Sequence, residues 1–247
     1  MYINDINIFI YVGIGILGLL IGRLIEAVNI SLVEHKKIFS IQIIKENLKI
    51  VQTNYIIMLV FAVLYIAVLL SVGLEDKIKL IQCLFLLPML LSVFLIDLKK
   101  QIIPSRLTLS IFEIGIIFSF IRGINNLNTA IEMWLGLLVG VVVFLIISFF
   151  GSIVFKKETM GFGDVKLMGA LGLCFGWRSI IVITIVSFFM ASIFSILLII
   201  FKKIKKQQIN EFIPFGPFIV LGVIIAMFVP VSTFIRIIFF IFTLGRI

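Results

Sequence analysis

Long apolar runs govern what this chain can become. Mostly apolar stretches at roughly 8–28, 55–74, 78–96, 106–121, 131–155, 179–201 and 213–229 reach or approach the ~17–25 residues that cross a hydrocarbon layer. A soluble fold of 247 residues could not hide them in one core, because 62% of the side chains are hydrophobic and only 13% are charged. The surplus must face lipid. The sequence therefore predicts an all-α polytopic membrane protein. A shorter apolar segment from Val165 to Trp177 and the tail from Val231 to Ile247 bring the expected bundle to eight or nine transmembrane helices. Residues Met1 to Asp5 lack a basic leader region and a small-residue cleavage site, so the first run reads as a retained span.

The formal net charge of +9 carries information through its distribution rather than as a surface for nucleic acid. Lys36, Lys37, Lys45 and Lys49 occupy the first long loop; Lys99, Lys100 and Arg106 the second; Lys156, Lys157 and Lys166 the third; Lys202, Lys203, Lys205 and Lys206 the fourth. Basic residues accumulate in cytosolic loops, which places these four loops inside and the N-terminus outside. No repeat, linker or soluble domain interrupts the series. The expected organisation is a single membrane domain over 1–247 with a cytosolic loop at about 29–54. In that loop Ile38, Ile41, Ile44 and Leu48 have the spacing of a short amphipathic helix lying on the membrane surface.

Metal and redox chemistry have little to stand on. Cys83 and Cys174 lie inside apolar runs, no CxxC pair exists, and both read as packing residues. The one histidine, His35, sits among Glu34, Lys36 and Lys37 and reads as solvated. No metal and no cofactor is expected.

Acidic residues number 12, few enough to judge one by one. Asp97 closes the third run just before Lys99 and Lys100, and Pro104 then suits the first turn of the next helix. Taken alone, Asp97 would mark the membrane boundary. Asp164 follows Gly161-Phe162-Gly163 and precedes Lys166. Glycines permit a backbone path or close approach that a Cβ would block, as a site that handles an extended peptide requires. The plainer reading makes Asp164 the cap of the following helix. Both aspartates fall on the same side of the expected topology, 67 residues apart in sequence. Two carboxylates brought close share one proton, because both cannot ionise cheaply. The ionised one then activates water and the protonated one donates to the scissile carbonyl. Gly169, Gly172 and Gly176, at i, i+3 and i+7, read as a face for close helix packing. Pro214-Phe215-Gly216-Pro217 breaks the backbone at the start of the last long run. Such a break must be shielded by protein or line a wet cavity, and it suits a wall of a substrate cleft.

Three segments together resemble the type IV prepilin peptidases, the GxGD-type aspartyl membrane proteases. They are Asp97-Leu98-Lys99-Lys100-Gln101-Ile102-Ile103-Pro104, Met160-Gly161-Phe162-Gly163-Asp164-Val165-Lys166-Leu167 with Gly169 and Gly172, and Ile213-Pro214-Phe215-Gly216-Pro217-Phe218. The resemblance implies cleavage of prepilin-like precursors after a short basic leader, at the cytosolic face of the bacterial plasma membrane. It maps the catalytic pair onto Asp97 and Asp164. Gly161, Gly163, Lys166, Pro214 and Gly216 become the expected substrate-binding positions. The N-terminal part departs from the family. Where many members carry a Gly-Ser-Phe-Leu-Asn-like element and two CxxC pairs, this chain has Gly22-Arg23-Leu24-Ile25-Glu26-Ala27 and a cysteine-free loop. That departure puts N-methylation of the new terminus in doubt, and Glu26 reads as a boundary charge.

Two other classes compete. A transporter or channel would place ionisable groups in mid-span, whereas the mid-span polar residues here are mostly Ser148, Thr184, Ser187 and Ser192. A scaffold of a secretion apparatus would keep the fold without the chemistry, and would have no need of both aspartates.

Overall fold

The computed structural model describes residues 2–3, 6–33, 46–48, 54–156, 160–205 and 213–242. Among the described residues a two-residue antiparallel pair, β1 (Tyr2–Ile3) and β2 (Ile6–Asn7), precedes nine helices of at least twelve residues. These are α1 (Ile8–Val33), α2 (Tyr55–Val72), α3 (Lys77–Lys100), α4 (Ser105–Asn125), α5 (Leu127–Phe155), α6 (Phe162–Phe175), α7 (Trp177–Ile204), α8 (Gly216–Phe228) and α9 (Val231–Phe242). Within the described residues the predicted apolar segments are largely helical, and the chain is an all-α polytopic membrane protein. By length and composition α1 to α5 and α7 can cross a membrane. At 14 and 13 residues, α6 and α8 extend only about 20 Å, short of the ~30 Å hydrocarbon layer.

The two short helices hold the centre. α6 packs between α4 and α5, and α8 lies between α3 and α7, while α1 and α2 form a pair that rests on α3. α3 is the most enclosed of the six long helices. α5 and α7 turn Leu138, Phe149, Phe189 and Phe201 outward, as helices facing lipid do. With no hydrophobic drive between helices in lipid, close backbone approach supplies the attraction. Gly136 of α5 and Gly172 of α6 face one another so closely that a Cβ on either would overlap the other's backbone. Gly140 stands in the same relation to the Met168 carbonyl, and Gly169 packs on Val141. Gly176, expected on the same helical face, instead ends α6 with φ near +80°, a conformation that favours glycine.

Within the long helices, broken or orphaned polar groups find local partners. Pro88 inside α3 has no N–H for the Leu84 carbonyl, and the Tyr65 hydroxyl of α2 donates to that oxygen at 2.9 Å. The Gln82 amide donates to the Cys174 carbonyl in the last turn of α6 at 2.8 Å. Thr184, Ser187 and Ser192 donate to carbonyls four residues back on α7. They satisfy themselves and form no polar path through the bundle.

The first loop begins later than predicted, because α1 continues to Val33. Around 46–48 the chain returns to α1: Asn47 donates to the Ala27 carbonyl at 3.1 Å and to Ser31 Oγ at 3.0 Å, and Arg23 donates to the Leu48 carbonyl. Ile38, Ile41 and Ile44 of the predicted surface helix, and His35, lie outside the described residues.

Candidate active site

Asp97 lies in the last turn of α3, where its carbonyl accepts from Gln101 N at 2.8 Å and Gln101 closes the helix in a left-handed conformation. Its side chain is 5% exposed, turned into the bundle rather than out to the boundary. One carboxylate oxygen, Oδ2, accepts from the Gly216 N–H at 3.0 Å. That donor has a clear origin. Gly216 and Pro217 open α8, and the first N–H groups of any helix have no intrahelical partner. Pro217 loses nothing by lacking one, and the freed Gly216 N–H points at the anion, with the positive end of α8 behind it. A Cβ on Gly216 would come within 2.5 Å of Asp97 Oδ2, so glycine alone fits. The expected cleft wall is thus a direct partner of Asp97.

Phe215 fixes this turn. Its ring packs against Phe188 of α7, Phe144 of α5 and Phe218 of α8, with centroids 4.8, 6.1 and 6.4 Å away. Pro214, just before it, is half-buried.

Asp164 is the third residue of α6. Gly161 takes the cap position, and Asp164, in the first turn, reaches back to accept from the Gly161 N–H. It is 8% exposed, and its Oδ1 is buried without a hydrogen-bond partner. Burial pushes its carboxyl up to about 7; the negative charge of Asp97 adds to the rise, and the Gly161 N–H opposes it. The ends of α3 and α6 thus place the two carboxylates in one electrostatic neighbourhood. Each accepts from a glycine N–H, Gly216 for Asp97 and Gly161 for Asp164, and Asp164 Oδ1 is left unpartnered.

Ile103, which sequence reasoning treated only as part of a motif, joins the two halves. An added Cβ on Gly163 would meet Ile103 Cβ at 3.2 Å, and one on Gly216 would meet its Cδ1 at 3.3 Å. The α3–α4 turn thus wedges this side chain against both glycines and sets the spacing of the α6 and α8 starts. Its only signal in the sequence was an apolar residue directly before Pro104.

Of the five expected substrate-binding positions, Gly161, Gly163 and Gly216 border the carboxylates. Lys166 instead points along the surface, its Nζ 5.0 Å from the centre of the Phe162 ring. Among the described residues no group of three or more His, Cys, Asp or Glu side chains could hold a metal ion.

Residues 84–200 match the type IV leader peptidase family, a span that includes Asp97 and Asp164 and ends before Gly216. The chain is 31% identical over 147 residues to the prepilin leader peptidase/N-methyltransferase of Aeromonas salmonicida, covering 60% of this chain and 48% of that protein. It is 31% identical over 151 residues to the protein of that name from Legionella pneumophila, with 61% and 50% covered. With that of Escherichia coli the figures are 30% over 132 residues, 53% and 56%. The chain thus spans about half the length of the curated relatives it matches. No solved structure matches it.

Proposed function

Because residues 84–200 match the type IV leader peptidase family, we propose that this chain is a membrane-embedded aspartyl endopeptidase. It cleaves the basic leader from prepilin-like precursors, with Asp97 and Asp164 as the catalytic pair. The observation that carries the proposal is the pairing itself: two buried carboxylates within each other's field, Asp97 held by the Gly216 N–H and Asp164 with an unpartnered oxygen. Burial favours the neutral form of Asp164, and Asp97 Oδ2 accepts from the Gly216 N–H. The reaction then has its two players. The Asp97 carboxylate takes a proton from water as the oxygen attacks the scissile carbonyl, and the Asp164 carboxylic acid hydrogen-bonds the carbonyl oxygen. Collapse of the tetrahedral intermediate releases the amine with a proton returned by the pair. The pair titrates as a unit.

In this reading the chain is one membrane domain of the bacterial inner membrane, and the end bearing Lys99, Lys100, Lys202 and Lys203 is cytosolic by the distribution of basic residues. Gly161 gives an extended substrate backbone its approach, while Gly163 and Gly216 are filled by Ile103 and Asp97, with Pro214 and Lys166 at the margins. The proposal covers peptide cleavage alone. N-methylation is left out because the segment 29–54 carries no cysteine pair. A transporter has no support here, since the buried acids gather at one end and the mid-span hydroxyls of α7 bond their own helix.

The test uses purified protein in lipid with a precursor that has a basic leader, a glycine junction and an apolar helix. Wild type should yield two fragments cut at the junction. Asp97→Asn and Asp164→Asn should each lose at least ~10²-fold in rate while staying folded. Cleavage at an undiminished rate in either variant would overturn the assignment of the pair.

A further inference from the structure

The turn between α3 and α4 is short and tightly constrained. Gln101 closes α3 with φ 55°, and Pro104 opens α4 with φ −61°. Ile103 precedes that proline, which holds its backbone extended, and its branched Cβ leaves χ1 few choices. Such a side chain keeps its direction. Its root lies against Gly163, where an added Cβ would be 3.2 Å from Ile103 Cβ, and its tip against Gly216, where one would be 3.3 Å from Ile103 Cδ1. The same point beside Gly216 is 2.5 Å from Asp97 Oδ2, so the isoleucine tip and the carboxylate oxygen border one small volume. Gly163 directly precedes Asp164, and Gly216 donates to Asp97 at 3.0 Å. One half-buried hydrocarbon side chain thus touches the backbone that serves each carboxylate.

Resting on the reading of Asp97 and Asp164 as the catalytic pair, we propose that Ile103 is a positioning residue that holds the two glycine turns apart and closes the space between them to water. A polar side chain in its place would compete for Asp97 Oδ2 or for the unpartnered Asp164 Oδ1, and a smaller one would leave room for water beside both acids. Water there would solvate the charged form of Asp164, whose carboxyl burial holds up at about 7. Among the described residues Asp97 of α3 is the charged group that adds to this rise, and Lys99, Lys100, Arg106 and Lys166 on the same helix ends are exposed. The isoleucine also limits how the α8 start can move toward the α6 start. Truncation removes that limit at Gly216, because alanine and valine both keep Cβ and lack Cδ1. Asp97 then loses the fixed N–H that orients it, and catalytic geometry tolerates only small displacements.

Full-length protein carrying Ile103→Ala or Ile103→Val is compared with wild type in two assays: cleavage of a precursor in lipid across pH, and thermal melts in detergent between pH 5 and pH 8. For Ile103→Ala the expected result is a kcat lower by ~10²-fold with KM little changed, and a fall of the rate at high pH that begins at lower pH than in wild type. Its melts should also lose less stability over the interval, because a hydrated Asp164 prefers the protonated form less strongly. Ile103→Val, which lacks only Cδ1, should fall between the two, and it carries the test alone if Ile103→Ala does not fold. An undiminished kcat in the variants would overturn the inference. So would a loss of rate with the high-pH fall and the pH slope of the melts both unmoved, as a side chain that only fills space would give. If wild type cuts the precursor and the variants match it, only the role of Ile103 falls. If wild type leaves the precursor uncut, the peptidase reading falls, and the melts, which need no substrate, still decide whether Ile103 keeps water from Asp164.

Discussion

At the scale of single residues, Gly216 is the sharpest test of the site's construction. The N–H it gives to Asp97 leaves no space for a methyl group, so Gly216→Ala should displace the carboxylate and cut the cleavage rate by ~10²-fold, as small misplacements do. Steady-state assays on a precursor substrate check this; a fully active alanine variant would show that the contact is not needed. Asp164 makes a prediction about pH. Its carboxyl is held up at about 7, first by burial and then by Asp97, so the folded state prefers the protonated form. This group's contribution to stability is therefore complete below the ordinary carboxylate range near 4 and is lost as pH rises through about 7. Thermal unfolding in detergent should show wild type losing stability between pH 5 and pH 8 and Asp164→Asn losing less over the same interval. Equal slopes would mean that the acid is not strained by its surroundings. Cleavage should fall off above about pH 7 in parallel, as Asp164 gives up the proton it must donate.

At the scale of elements, the α5–α6 contact and the proline within α3 are the features to probe. Gly136→Ala or Gly172→Ala forces a methyl group into backbone and should separate α5 from α6, with a loss of stability of about 1–3 kcal/mol, typical of overpacking. Because α6 carries Asp164, activity should fall with it; thermal melts beside cleavage assays would reveal a variant that keeps both, contrary to expectation. Tyr65→Phe removes the donor to the carbonyl that Pro88 leaves open and should cost about 1–3 kcal/mol, the penalty for a buried unpaired group. The glycines at 169 and 172 were legible in the sequence as a packing face because small residues at helical spacing have few other uses in lipid. Their partners on α5, Val141 and Gly136, were not, since which two helices meet is settled by the whole bundle.

For the molecule as a whole, the proposed orientation can be checked by cysteine labelling from either side of sealed vesicles. Reagent confined to the cytosolic side should reach Leu98→Cys and Phe162→Cys, and reagent on the other side Glu75→Cys and Leu127→Cys, all exposed positions. The sequence alone determined that the chain is helical and crosses a membrane, because hydrocarbon solvent enforces both on long apolar runs. It also nominated the two aspartates, since carboxylates at span ends are few here and one follows a glycine loop. Only the tertiary structure decided that the α8 start reaches Asp97, that Ile103 wedges both glycine turns, and that Gly161 rather than Asp164 holds the cap position of α6. Those facts depend on which helix ends converge, and a one-dimensional pattern fixes the faces of each helix but not the neighbours that fill them.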